Sequence, residues 1–498
     1  MSEKNSTPVH LAVDLGASGG RVIAGRVEDG KLLMEAISRF PNEPVRIQNQ
    51  MQWNVLSLWQ AISDGLREAS KRFSNIQSVG VATWGVDYVL VDDQDSLTGP
   101  ARHYRDSRTN GMVEKACDIV PRSEIFDATG LQFMQINSAI QLLAAKEAGE
   151  RSLEFADGFL MMGDFFHWLL SGKRSIEATN ASTTQLLDPR NKQWRTDLIE
   201  KFGLPSKIFV PVTEPGTNLG NVQESVATQT GLDGVPVIVP ATHDTASAVI
   251  AVPAKEFAPA KPDWCYISSG TWSLMGCEIP EPKINERCAE LNFTNEGGVL
   301  GSTRLLKNIG GLWVLQQIRQ SVIRRGEDVD WDQMVQEAEQ APAFELLLDP
   351  DEADFVAPDD MIDAITAYAK RTNQNVPTTN SVFYRAALEG LALRYRVCKG
   401  MLESLVDHSI NTIHVVGGGS QNALLCQMTA DACNCDVVAG PVEATAIGNL
   451  LMQMIGLGAV ESIGEARELV RNSFETNIYK PRNPQAWEGP AERFLQLQ

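Results

Sequence analysis

A glycine-rich turn that leads from one strand into another, and not into a helix, constrains this chain more than any other feature. The apolar run Leu11-Ala12-Val13 closes on Asp14-Leu15-Gly16, Ala17-Ser18-Gly19-Gly20-Arg21 follows, and Val22 to Val27 resumes a strand pattern. Asp29-Gly30, a strong two-residue hairpin signal, turns the chain once more before Lys31 to Met34, so the segment reads as a meander. A Walker loop needs G-x-x-x-x-G-K-[ST] opening a helix, and a dinucleotide fold needs G-x-G-x-x-G between strand and helix. Neither string is present.

The pattern returns in the second half. Trp264 to Gly276 is again strand, Ser/Gly turn, strand, and Thr412 to Val416 is a strand running into Gly417-Gly418-Gly419-Ser420. A helix follows with Leu424, Leu425, Met428 and Ala432 on one side. Between these segments, Ile76 to Val91 reads as two buried strand pieces bent at Trp84-Gly85, 110–203 as mainly helical, and Gly234 to Pro240 as a short strand ending at Ala241-Thr242-His243-Asp244. Phe383 to Leu405 reads as a long helix and Ala446 to Ile455 as another. With 498 residues, one core does not suffice. The expectation is two α/β domains, 1–250 and 251–498, with the boundary near 250–262, facing each other across a ligand cleft.

Charge narrows the partners. Lys and Arg number 43 against 63 Asp and Glu, a net charge of −20, and no basic run offsets it, so nucleic acid and anionic membranes are not expected partners. No apolar stretch has the length of a membrane span, and the polar Met1–Pro8 carries no signal-peptide core behind it; a cytoplasmic enzyme is expected. Cys426, Cys433 and Cys435 match no common zinc spacing and read as buried free thiols.

Three small-residue loops stand at strand ends: 16–20, 268–271 and 417–420. Backbone N–H groups freed by Gly and Ser cradle anions, although any one such loop is equally an ordinary tight turn. Asp14 is placed either to hold Mg²⁺ through water or to cap a turn. Asp244 could accept a proton from a substrate hydroxyl attacking a γ-phosphate, or cap the helix that follows. Trp84 to Tyr88 and His103 to Arg108 mix rings with charged groups, which suits either a sugar site or core packing with ion pairs.

Nine strings occur in order: AVDLGASGGR, ATWGVDYVLVD, HYRDSRTNG, ATHDTASAV, YISSGTWSLMG, NFTNEGG, LLKNIGGLWVLQ, HVVGGGSQN and AGPVEATAIGNLL, spanning about 9 to 455. Together they resemble the motif set of the FGGY carbohydrate kinases. The resemblance implies two actin-like, ribonuclease H-like domains. It implies phosphoryl transfer from ATP, with Mg²⁺, to O1 of a ketose, L-rhamnulose, with L-fuculose or L-xylulose as the alternatives. It further implies that Ala17, Ser18, Gly19, Gly20 and Arg21 line one phosphate loop, and that Thr271, Gln316 and Gly418 also face ATP. Gly85, His243, Thr245 and Asn308 then contact the sugar, and Asp244 is the general base. Gly19 stands where relatives often carry Ser, which removes one hydroxyl donor. A non-catalytic sugar sensor on the same fold is the alternative of another class; it is expected to lack the base, and Asp244 is present. A monomer or a homodimer fits equally.

Overall fold

The computed structural model describes residues 7–497; residues 1–6 of the polar N-terminal stretch, and residue 498, lie outside. Compactness divides the chain discontinuously. One unit runs to Pro259 and adds Glu278–Leu305 and Ala444–Phe474; the other holds Ala260–Cys277, Leu306–Glu443 and Glu475 onward.

In the first unit the meander is β1 (Val9–Leu15), β2 (Gly19–Glu28) and β3 (Lys31–Pro41), all antiparallel neighbours. Asp29 and Gly30 both have positive φ, 50° and 71°, the geometry in which Asp-Gly closes a hairpin. After α1 (Val55–Arg72) come β4 (Ile76–Thr83), β5 (Asn218–Asn221) and β6 (Pro236–Ile238), giving the sheet order β5-β6-β4-β1-β2-β3. β1, β4 and β6 run parallel. Every residue of β1 is buried, as a strand covered on both faces requires.

A short helix, α2 (Asp244–Ile250), follows β6. The second unit repeats the plan. β7 (Trp264–Ser269) and β8 (Trp272–Ile279) form a hairpin, followed by β9 (Thr303–Gly310), α3 (Trp313–Arg324) and the long α4 (Asn380–Val406); the last residues of β8 and the first three of β9 belong to the first unit. Then come β10 (Thr412–Val416), α5 (Ala423–Cys433) and β11 (Asp436–Ala439). β7, β10 and β11 are parallel neighbours, and β12 (Asn477–Tyr479) closes the edge antiparallel to β11. An antiparallel hairpin, two further parallel strands and an antiparallel edge strand thus occur in each unit. The cysteines are all free, and Cys426, Cys433 and Cys435 are buried.

The chain between β11 and β12 contributes to the first unit. There α6 (Ala444–Gly456) lies on the meander sheet, where Asn449 donates to the carbonyls of Val13 and Gly80, and it also seats α2. Thr445 Oγ1 donates to Asp244 O at 3.2 Å, and a Cβ at Gly448 would lie 1.8 Å from Ser247 O. Helix propensity alone would favour Gly448→Ala by about 1 kcal/mol. Overpacking costs about 1–3 kcal/mol, and here the opposing atom is backbone, so packing wins. Gly448→Ala is therefore expected to lower stability in a urea melt and to reduce kcat as α2 shifts; a variant equal to the wild type in both would refute this seating.

Candidate active site

The C-terminal ends of three parallel strands bring the first-unit candidates together, the position where open α/β sheets bind ligands. Trp84 N donates to Leu15 O at 3.2 Å, Thr83 N donates to Thr242 O at 2.8 Å, and Thr83 bridges His243. The 16–20 turn, the Gly85 bend and His243-Asp244 are consequently neighbours.

The first turn is tight. Gly16 N donates to Gly19 O at 2.9 Å, and Asn42 Nδ2 holds Gly16 O at 2.9 Å. Ser18 is exposed, with Ala17 and Gly19 half-buried beside it. Gly20 lies close under the Phe40 ring: a Cβ there would come within 2.3 Å, so the ring would have to shift. Asp14 is buried and faces Arg21 across the β1–β2 ladder; Arg21 Nε donates to its Oδ2 at 2.8 Å. Asp14 thus offers a single buried carboxylate bound to Arg21, a donor compatible with a water-mediated contact to Mg²⁺ and not with a cage. Among the described residues, no group of three or more His, Cys, Asp and Glu is placed to hold a metal.

At the Gly85 bend, a Cβ would come within 3.2 Å of His243 Nε2 and 3.1 Å of Thr183 Cγ2, so any side chain there would press on the imidazole and on Thr183. The next residue, Val86, has φ of 64°, an outlier for a β-branched residue. It is held there by three side chains. Val86 N donates to Thr183 Oγ1, while Ser138 Oγ and Gln141 Nε2 donate to Val86 O.

Beneath the bend, Asp87 Oδ2 accepts from Trp53 Nε1 and Trp84 Nε1, and Gln141 Nε2 donates to Oδ1. Burial pushes the Asp87 carboxyl up to about 6, against these three donors. Trp53 lies 4.3 Å from Trp84 and 4.1 Å from His103, centroid to centroid, and all three rings are buried. The three rings pack on one another directly beneath the Gly85 bend.

His243 takes the cap position of α2 without a side-chain bond, and Asp244 is the first helical residue. Asp244 still supports the helix start from that position, by accepting from a first-turn backbone N–H. Its Oδ1 accepts from Thr245 N at 2.6 Å and Thr245 Oγ1 at 3.3 Å, which leaves Oδ2 without a hydrogen bond among the described residues. The side chain is 29% exposed and within reach of a ligand. Desolvation raises its pKa from the ordinary carboxylate value, opposed by His243, by the Thr245 donors and by Arg304. A carboxylate with one fixed oxygen, one available oxygen and a raised pKa is suited to take a proton.

Glu177, fully buried, organises the approach to this pair. It accepts from Thr242 N and Oγ1, from Thr179 N and Oγ1, and from Asn180 N, at 2.6 to 3.2 Å. Thr179 Oγ1 in turn accepts from His243 N at 3.2 Å.

The second unit gathers its own set. Leu312 N and Trp313 N donate to the carbonyls of Gly270 and Thr271, at 3.0 and 3.1 Å, so α3 starts against the 270–271 turn and carries Gln316 one turn later. Gly417, with φ of 84°, and Gly419 press on Ser269: Cβ atoms there would lie 2.9 Å from Ser269 O and 1.9 Å from Ser269 Oγ. The start of α3 is thus hydrogen-bonded to the Thr271 turn, and the glycines on either side of Gly418 pack on Ser269, two residues before Thr271. Asn308 stands half-buried on β9.

Two compact α/β units carry small-residue turns at strand ends, which suit phosphate, and one of those ends presents a reachable carboxylate, the parts that phosphoryl transfer to a hydroxyl needs. The chain belongs to the FGGY family of carbohydrate kinases: the family's N-terminal domain matches residues 9–251 and its C-terminal domain residues 265–457. Rhamnulokinases are among its relatives. That of Bacteroides thetaiotaomicron is 41% identical, covering 96% of this chain and 97% of its own; that of Oceanobacillus iheyensis is 39% identical, covering 94% and 98%. That of Bacillus subtilis is 37% identical, covering 95% and 96%. Among solved structures, a gluconate kinase and a xylulose kinase from Lactobacillus acidophilus each superpose with a TM-score of 0.80 at 15% identity, over 98% or more of this chain and 97% or more of theirs. No helix among the described residues is long and apolar enough to cross a membrane.

Three contributors escape a reading of the sequence: Glu177, Glu296 and Arg304. The available signal was a charged residue inside an otherwise apolar strand or beside a Gly pair, as in Thr303-Arg304-Leu305-Leu306 and Asn295-Glu296-Gly297.

Proposed function

We propose that this chain transfers the γ-phosphoryl group of ATP to O1 of L-rhamnulose, yielding L-rhamnulose 1-phosphate and ADP, with Asp244 as general base. The observation that carries the substrate is the likeness to curated rhamnulokinases over 94% or more of the chain. Asp244 Oδ2 removes the O1 proton as O1 bonds to Pγ, and the bond from Pγ to the bridging oxygen of ADP breaks. Gly85, His243, Thr245 and Asn308 bind the sugar. Ala17 to Arg21, Thr271, Gln316 and Gly418 receive the nucleotide, and Asp14 would hold the accompanying Mg²⁺ through water. Charge neutralisation of the phosphates is the chemistry the ion supplies. The enzyme acts in the cytoplasm as a monomer or a homodimer.

An ADP-release assay across ketoses and aldoses tests this. L-Rhamnulose is expected to give the highest kcat/KM. Turnover of L-fuculose or L-xylulose about tenfold better would replace the substrate, since pocket discrimination can rest on about 1–3 kcal/mol, and would leave the kinase intact.

A further inference from the structure

Arg304 is 1% exposed, and its environment is built to aim it. Nε donates to Gly297 O at 2.9 Å, which fixes the guanidinium plane. Nη2 lies 3.0 Å from His243 Nδ1 and 3.1 Å from Glu296 Oε2, and Glu296 is itself buried. An arginine has donors only and stays protonated, so a ring nitrogen bonded to it must accept. The proton of the imidazole is then on Nε2. That nitrogen is 3.4 Å from Asp244 Oδ1. The opposite tautomer would turn Nδ1–H towards Glu296 Oε2, 3.3 Å away, but would also set it head-on against the Arg304 donor.

We propose that Arg304, with its charge balanced by Glu296, fixes His243 in the Nε2–H tautomer and so acts as a positioning residue for Asp244. The proposal deepens the reading of Asp244 as base and rests on it for its kinetic part. Nε2–H faces Oδ1 at 3.4 Å, beside the Thr245 donors that bind that oxygen, so Oδ2 is the oxygen presented to the substrate hydroxyl. Misplacing a reacting group by about 1 Å costs roughly a hundredfold in rate, so a freely rotating imidazole would be felt in kcat.

The test has a spectroscopic and a kinetic arm. Nitrogen-15 spectra of the full-length protein with labelled histidine, assigned against His243→Asn, are expected to show His243 with a bare Nδ1 and a protonated Nε2. A protonated Nδ1 in the wild type overturns the proposal, whatever Asp244 does. Arg304→Met leaves Glu296 unbalanced, so it is paired with Arg304→Met/Glu296→Gln, which removes both charges. The double variant is expected to lower kcat by about tenfold to a hundredfold with KM for ATP unchanged, and Arg304→Lys, which still donates, to recover part of the loss. In an Asp244→Asn background the same change should have no further effect on rate. A folded double variant with wild-type kcat and a wild-type His243 spectrum overturns the positioning role. If Asp244→Asn alone stays active, the base assignment fails, and the tautomer stands or falls on the spectrum.

Discussion

Asp244→Asn is expected to fold, bind sugar and ATP, and lose roughly 10²–10⁴ in kcat, the range for removing a general base. Asn keeps an amide oxygen that can accept from Thr245 N and Oγ1 as Oδ1 does now, so α2 has no reason to unravel. What Asn cannot do is take the proton of the attacking hydroxyl. KM for the sugar should change little, and an unchanged melting temperature separates chemistry from misfolding. Retention of more than about a tenth of wild-type kcat would reject the assignment.

Glu177→Ala is expected to be the most damaging substitution for stability near the site, by about 3 kcal/mol in a urea melt. Three backbone N–H groups, of Thr179, Asn180 and Thr242, lose their acceptor in a fully buried setting, and each orphaned donor costs about 1–3 kcal/mol. Glu177→Gln should be milder, since one carbonyl oxygen remains and the hydroxyls of Thr179 and Thr242 can turn to accept from the new amide. A loss below about 1 kcal/mol for Glu177→Ala would show that water or a local shift replaces the carboxylate. Because Thr179 also receives His243 N, the Ala variant should lose activity beyond its loss of folded protein.

The features legible in the sequence are those written locally. The Asp29-Gly30 turn, the glycine turn after Asp14, the hairpin at 264–276 and the strand into Gly417 are short-range patterns, and each appears at its place. Gly85 could be singled out because a glycine inside a strand pattern marks close approach, and the approaching group is the His243 ring. Contacts made at long range left no such trace. Glu177 meets Thr242 across 65 residues and Arg304 meets His243 across 61, with no periodicity linking either pair. The return of 444–474 to the first unit is invisible for the same reason: an apolar-faced helix does not say which sheet it covers. The aromatic pairs near Trp84 and His103 were ambiguous because ring stacking in a core and a sugar platform use the same residue types; Trp53, which closes the stack, lies 31 residues before Trp84.

The central claim is phosphoryl transfer to O1 of L-rhamnulose, and phosphorus NMR of the product tests it most directly. With ATP, Mg²⁺ and L-rhamnulose, the protein should form one ketose phosphate whose phosphorus couples to the methylene protons of C1, with ADP released mole for mole. Phosphorus coupled to a ring methine proton, or ADP release with inorganic phosphate and no sugar phosphate, would contradict it.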